Sequence, residues 1–485
     1  MQQSHSSIGR NRLRAILSPW RRYCHWHWQR QSAPRFLCQD HELPLFVRNC
    51  DTTMDAIQWL RLLDWRALPS ASRPLYFGRS PVPKVAYIGA FLVKLDLQLS
   101  TIARLRRFLV AHPALVWALG FPLPPADSRC GFDVAQAVPC ARHFNRVLRE
   151  MPNELLQSLL DGQVRLLQSW LPNETVGQTI SLDTKHILAW VKENNPKQFI
   201  ESGRFDKTLQ PTGDPDCKLG CKRRHNKREV TPHSEALPAG GLPASIGEFY
   251  WGYASGAVVT RLSSSHEFVL AERTQTFDKG DVTFFFPLMK DTEQRLGYRP
   301  RYGALDAAFD AFYVYDYFHH PTHDGFAAVP FCEKGNRARR TFGAEGLPLC
   351  EAGLAMPHKL TYNDRTTALI PYQRARHVCP LLVPEANGQS CPVAHQKWTK
   401  GGCTTTLANT PGARIRHQLD RDSDVYLNVY RQRTAVERIF ARAVDLGIER
   451  PKLRNQHAIA NQNTLIYLLI NLRTLQRIRP TNVQP

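Results

Sequence analysis

The chain has 485 residues, with 63 Lys and Arg against 42 Asp and Glu, a formal net charge of +21 and an apolar content of 43%. That length allows two or three domains with sizeable cores, and the charge favours a polyanionic partner such as nucleic acid. No run reaches the ~18 apolar residues of a membrane span; the twelve cysteines include no CxxC pair, so nothing points to an oxidised scaffold, and reduced thiols in the cytoplasm are the default.

Residues 1–53, with the stretch WRRYCHWHWQRQ, have no helical or strand period and no apolar run that suits a signal peptide. Two readings stay open: a basic aromatic arm laid on DNA and without fixed structure, or a translated upstream stretch with the natural start at Met54. Over 54–171 helical spacing dominates. Ser100-Thr101 offers a cap, the apolar positions of STIARLRRFLVAHPALVWALGF recur at three and four until Pro113, and CARHFNRVLREM and NELLQSLLDGQVRLLQSWL continue the period.

Over 172–325 the pattern changes. The segments GQTISLD (177–183), KHILAWV, GAVVTRL, DVTFFFP and YGALD (302–306) read as strands, and AAFDAFYVYDYF after them reads as a helix. The fold class expected is α/β, a mixed sheet covered on both faces. Asp183 and Asp306 then lie at or just past strand ends, where ligands gather, although a turn or helix-cap role suits either one taken singly.

A loop from about Pro196 to Gly247 interrupts these strands. Its basic run KLGCKRRHNKR (218–228) reads as a phosphate-contacting patch or as a solvated loop. Cys217, Cys221 and His225, at spacings of four and with His233 beyond, form a candidate zinc set, although zinc motifs more usually carry CxxC or CxxxxC. Residues 326–424 are punctuated by Pro and Gly and carry Cys332, Cys350, Cys379, Cys391 and Cys403, read as small apolar side chains; His319, His320 and His323 precede them. In 425–475, YRQRTAVERIF sets Tyr430, Arg433 and Glu437 at spacings of three and four. On an α-helix these share one face, joining an aromatic hydroxyl, a phosphate-clamping fork and a metal-ligating carboxylate. TLIYLLINL (464–472) reads as a buried helix, and 476–485 as a tail.

Tyr430-x2-Arg433-x3-Glu437 resembles the Tyr-Arg-Glu-Lys signature of the DDE transposases of bacterial insertion sequences. Asp183 in SLDTKH and Asp306 in DAAF resemble the first and second motifs of that family, over roughly residues 90–475. The Lys position departs from the pattern, because it falls on Val444.

The resemblance implies an RNase-H-like core with an N-terminal helical DNA-binding domain and a subdomain inserted before the last catalytic helix. Asp183, Asp306 and Glu437 would be the carboxylate triad. Two Mg²⁺ ions, with Mn²⁺ as substitute, are the expected cofactors, because hard ions take oxygen ligands. Tyr430 and Arg433 would grip the phosphate of the cleaved strand. The implied partners are the terminal inverted repeats of a mobile element and target DNA, bound by a homodimer in the bacterial nucleoid. Val444 keeps open a catalytically inactive or domesticated DNA-binding relic; a metal-dependent nuclease on the same fold is the third possibility.

Overall fold

The computed structural model describes residues 34–68, 82–171, 176–195, 206–223, 247–319, 325–332, 339–366 and 369–479. It divides into two compact units, one of residues 1–172 and 442–485 and the other of residues 173–441.

The first unit is helical. Its helices are α1 (Asp51–Leu60), α2 (Lys84–Asp96), α3 (Ile102–Ala111), α4 (Pro113–Leu119), α5 (Ala141–Glu150) and α6 (Glu154–Trp170). Thr101 caps α3, its hydroxyl accepting from the Arg104 amide, and Pro113 opens α4, where its missing N–H costs nothing. The chain before Met54 belongs to this unit from Pro34 onward. Phe36, Leu43 and Val47 are buried, and Arg61 donates to the carbonyls of Phe36 and Cys38 and to Asp40. The reading of 1–53 as an unstructured arm therefore fails for 34–53, and α1 begins before Met54; residues 1–33 lie outside the described residues. The segment shows no period because it folds as short 3-10 and helical pieces, and of its six large apolar side chains only Phe36, Leu43 and Val47 are buried while Leu37, Leu45 and Phe46 are exposed.

The second unit is mixed α/β. Its strands are β1 (Thr179–Leu188), β2 (Lys218–Arg223), β3 (Gly247–Arg261), β4 (Glu267–Thr276), β5 (Tyr302–Leu305) and β6 (Phe326–Ala328). β3 pairs antiparallel with β1, β2 and β4, while β5 runs parallel to β1 and β6 parallel to β5. GQTISLD and KHILAWV are not two strands. They form one continuous β1, because β3 supplies partners without a break from Ile180 to Leu188.

DVTFFFP is likewise not a strand. Asp281–Phe284 is a 3-10 turn leading into α7 (Phe285–Leu296), with Pro287 in the first helical turn, where proline is tolerated. The helical period shows only once residues past the proline are included, in the buried set Phe285, Leu288, Met289, Thr292 and Leu296. α8 (Phe312–Phe318) follows β5. It lies against the same sheet face as α7: a Cβ on Gly303 would fall 2.4 Å from the Phe318 ring, and one on Gly256 would fall 3.0 Å from the Leu288 side chain.

The segment between the second aspartate and the signature folds as its own antiparallel sheet, β7 (His358–Asn363), β8 (Gln373–Val378) and β9 (Thr404–Ala408). β6 belongs to the main sheet, so the insertion starts after Ala328. α9 (Pro411–Gln418) returns from it, anchored by Arg416, which makes a two-pronged bond to the buried Asp310.

α10 (Asp424–Tyr430), a 3-10 turn (Arg431–Arg433) and α11 (Thr434–Asp445) carry the signature. α10 covers the sheet face opposite α7 and α8, with Tyr426 and Val429 on Ala304 and Ala328. The final helix, α12 (Gln456–Ile478), contains the TLIYLLINL run and belongs to the first unit, buried among α2, α5 and α6. Region 425–475 is thus divided between the two units rather than forming one catalytic region.

Candidate active site

Strand register brings the two aspartates together. Thr179↔Tyr302, Ser181↔Ala304 and Leu182↔Leu305 are parallel partners, and Leu182↔Leu305 is the last pair before β5 ends. Asp183 and Asp306 come next on their strands, on neighbouring chains about 4.8 Å apart. By alternation both point to the face of Ser181 and Ala304, the face that α10 covers. Among the described residues β1 continues beyond Asp183 with β3 as its only strand partner, so the end of β5 opens one side of the carboxylate. Asp183 therefore lies mid-strand in β1 and at the end of its pairing with β5, not at the strand end expected from the sequence. Asp306 caps the turn after β5 by accepting from the Ala308 amide at 2.8 Å.

The signature supplies the facing wall. Helical backbone continues through the 3-10 turn, so Arg433 and Glu437 keep the four-residue spacing of one face, and Arg433 Nη2 donates to Glu437 Oε1 at 2.6 Å. Arg433 Nη1 is 3.7 Å from Asp183 Oδ2. The guanidinium also leans on Tyr430, 6.0 Å from its ring centre, while Tyr430 stacks on Tyr426 at 5.8 Å. The five residues that carry the resemblance thus meet in one place, spread over β1, the end of β5 and three consecutive helical pieces.

The electrostatics reflect crowding. Burial pushes the Asp183 carboxyl up to about 7, and the neighbouring Asp306 charge adds to this against the opposing Thr184 amide and Arg433. Only 20% of the Asp183 side chain is exposed, against 46% for Glu437. Burial works to lower the Arg433 pKa, but Glu437, Tyr430, Asp183 and Asp306 outweigh it and hold the group above its ordinary value.

Sequence reasoning missed one carboxylate. Asp281 accepts from the Thr184 hydroxyl at 2.7 Å, and its charge also reaches Asp183. Reading DVTFFFP as a strand concealed it; an Asp just before a Pro-containing helix start was the available signal.

Hard oxygen donors on adjacent strands, one of them with its proton affinity raised by burial and a like charge, are the ligand type that a divalent cation of the Mg²⁺ class takes. Among the described residues no three His, Cys, Asp or Glu side chains stand together as a ready metal cage. Glu437 instead bonds to Arg433.

The zinc set does not assemble. Cys217 and Cys221 lie four residues apart on extended chain leading into β2, which separates them by about 13 Å, too far to share one ion with ~2.3 Å bonds. Cys217 is a buried thiol that donates to the Asp214 carbonyl at 3.2 Å. Burial and then Asp214 push it up to about 12. His225, His320 and His323 lie outside the described residues. Val444, at the signature Lys position, is half-buried on α11.

No known family and no curated protein matches this chain. The site's meaning rests on its own geometry. No described helix is long and apolar enough to cross a membrane.

Proposed function

We propose that the chain is a metal-dependent DNA strand-cleaving and strand-joining enzyme, a transposase of the DDE type acting on the ends of a mobile element. The observation that carries this reading is the meeting of Asp183, Asp306, Arg433 and Glu437 from three distant parts of the chain. The strand path β4-β3-β1-β5-β6, with β2 as a further partner of β3, is antiparallel up to β1 and parallel beyond it, which supports an RNase-H-like core.

Two divalent ions would activate a water and stabilise the leaving 3′ oxygen. Asp183 and Asp306 present oxygen ligands side by side and would hold such ions, Asp183 in its deprotonated form. Glu437 supplies the third carboxylate once it turns from Arg433. Arg433 is the phosphate clamp: its fork matches two phosphate oxygens and lies beside the carboxylates. The phosphorus–oxygen bond to the 3′ oxygen breaks as the water oxygen bonds to phosphorus, leaving a 3′ hydroxyl; in joining, that hydroxyl attacks a target phosphodiester in the same way. A net charge of +21 draws DNA to the protein, whose working form we take to be a homodimer in the cytoplasm holding two ends.

The test is Mg²⁺-dependent nicking of DNA carrying the gene's flanking repeats. Wild type nicks at the repeat ends, and Glu437→Gln binds the same DNA without nicking. Cleavage retained by Glu437→Gln refutes the triad. Val444 favours one second reading, a DNA-binding relic of such an enzyme, and binding without nicks by wild type in either Mg²⁺ or Mn²⁺ selects it. Nicks without joined products select a nuclease.

A further inference from the structure

Arg433 touches two of the three carboxylates, with Nη2 2.6 Å from Glu437 Oε1 and Nη1 3.7 Å from Asp183 Oδ2. The Asp306 charge reaches it as well. A single guanidinium is thus the positive charge that faces all three acidic groups. Both Nη groups of its planar fork are turned to carboxylates, so a phosphate arriving there competes with Asp183 and Glu437 for the same charge and the same donors.

From this we infer that Arg433 is an exchangeable counter-ion that couples DNA binding to cation loading; the inference rests on the metal-dependent reading above. Without DNA, the guanidinium neutralises Asp183 and Glu437 and holds Glu437 away from the two aspartates. A DNA phosphate arriving at the fork draws Arg433 off. The carboxylates then lose their positive partner, and a divalent ion takes its place. Coupling of this kind is reciprocal: the factor by which DNA tightens the cation equals the factor by which the cation tightens DNA. Metal is loaded when a phosphodiester is present to be cut, and the empty enzyme carries a side chain in the ion's stead.

The experiment is Mn²⁺ titration of the full chain, followed by calorimetry and by the electron paramagnetic resonance signal of free Mn²⁺, with and without a short DNA duplex whose own Mn²⁺ binding is subtracted. For wild type, the duplex tightens Mn²⁺ by about tenfold, within the usual range for coupled sites. Arg433→Ala and the bulkier Arg433→Gln, without DNA, bind Mn²⁺ about tenfold more tightly than wild type and gain nothing further from the duplex. Arg433→Lys, which keeps the charge, holds DNA-free Mn²⁺ affinity near the wild-type value.

A merely structural Arg433 gives the opposite sign, because its loss loosens the site. Equal or weaker Mn²⁺ binding by both neutral variants, with wild-type binding abolished by Asp183→Asn, overturns the coupling and leaves the metal reading standing. Absence of any Asp183-dependent Mn²⁺ binding overturns both.

Discussion

Asp183 gives the most direct quantitative test, because its environment predicts a sign as well as a size. In the metal-free folded protein burial and then Asp306 raise its carboxyl from 3.8 to about 7. The folded state therefore binds a proton that the unfolded chain has already released, and stability falls as pH rises between those two values. From pH 5.5 up to about 7, at roughly 1.4 kcal/mol per pH unit, the loss is about 2 kcal/mol. Asp183→Asn is isosteric and has no charge to desolvate, so this part of the pH dependence disappears. The assay is urea denaturation in EDTA at pH 5.5 and pH 8, comparing the change in unfolding free energy for wild type and variant. Wild type loses about 2 kcal/mol more than Asp183→Asn over this interval. Equal losses in the two proteins, or a wild type that gains stability relative to the variant, refute the assignment of a buried, repelled carboxylate.

Two further substitutions test packing around the site. Arg438→Ala removes the guanidinium that donates from α11 to the fully buried Glu267; the expected loss is about 1–3 kcal/mol by thermal or urea unfolding, and no measurable loss refutes the contribution of this bond. Gly303→Ala on β5 drives a methyl to 2.4 Å from the Phe318 ring, destabilising by about 1–3 kcal/mol, and amide exchange in β5 and α8 should accelerate; unchanged exchange shows that α8 does not rest on that strand.

What was legible in the sequence follows the range of the forces involved. Arg433 and Glu437 were found because a four-residue spacing is a local fact on any helical path, and the 3-10 turn did not disturb it. Asp183 and Asp306 were found as isolated acids after β-branched or small residues, but their adjacency depends on the β1–β5 register, a pairing across more than a hundred residues that local pattern cannot supply. DVTFFFP misled because three successive phenylalanines satisfy a strand as well as a helix until Leu288 and Met289 are included. Cys217 and Cys221 misled in the opposite way: their spacing suits a helix or a knuckle, and the extended backbone before and within β2 pulls the thiols apart.

The first unit is assembled from both ends of the chain. Asn153 donates to Asn461 and Thr464, Asn461 donates to the carbonyls of Leu148 and Met151, and Gln163 donates to that of Leu468, each bond spanning more than 300 residues of sequence. During synthesis the helices before residue 172 emerge well ahead of α12, so the apolar faces that α12 covers stay open while the whole α/β unit is translated. Contacts between such distant segments form slowly, because the intervening chain must be ordered or looped before they can close. Residues 173–441 form a unit of their own, and folding it first shortens that loop. The birth order of the polypeptide thus favours an α/β unit that matures before its helical neighbour, and leaves the half-built helical unit as the stage most exposed to chaperones, proteases and aggregation.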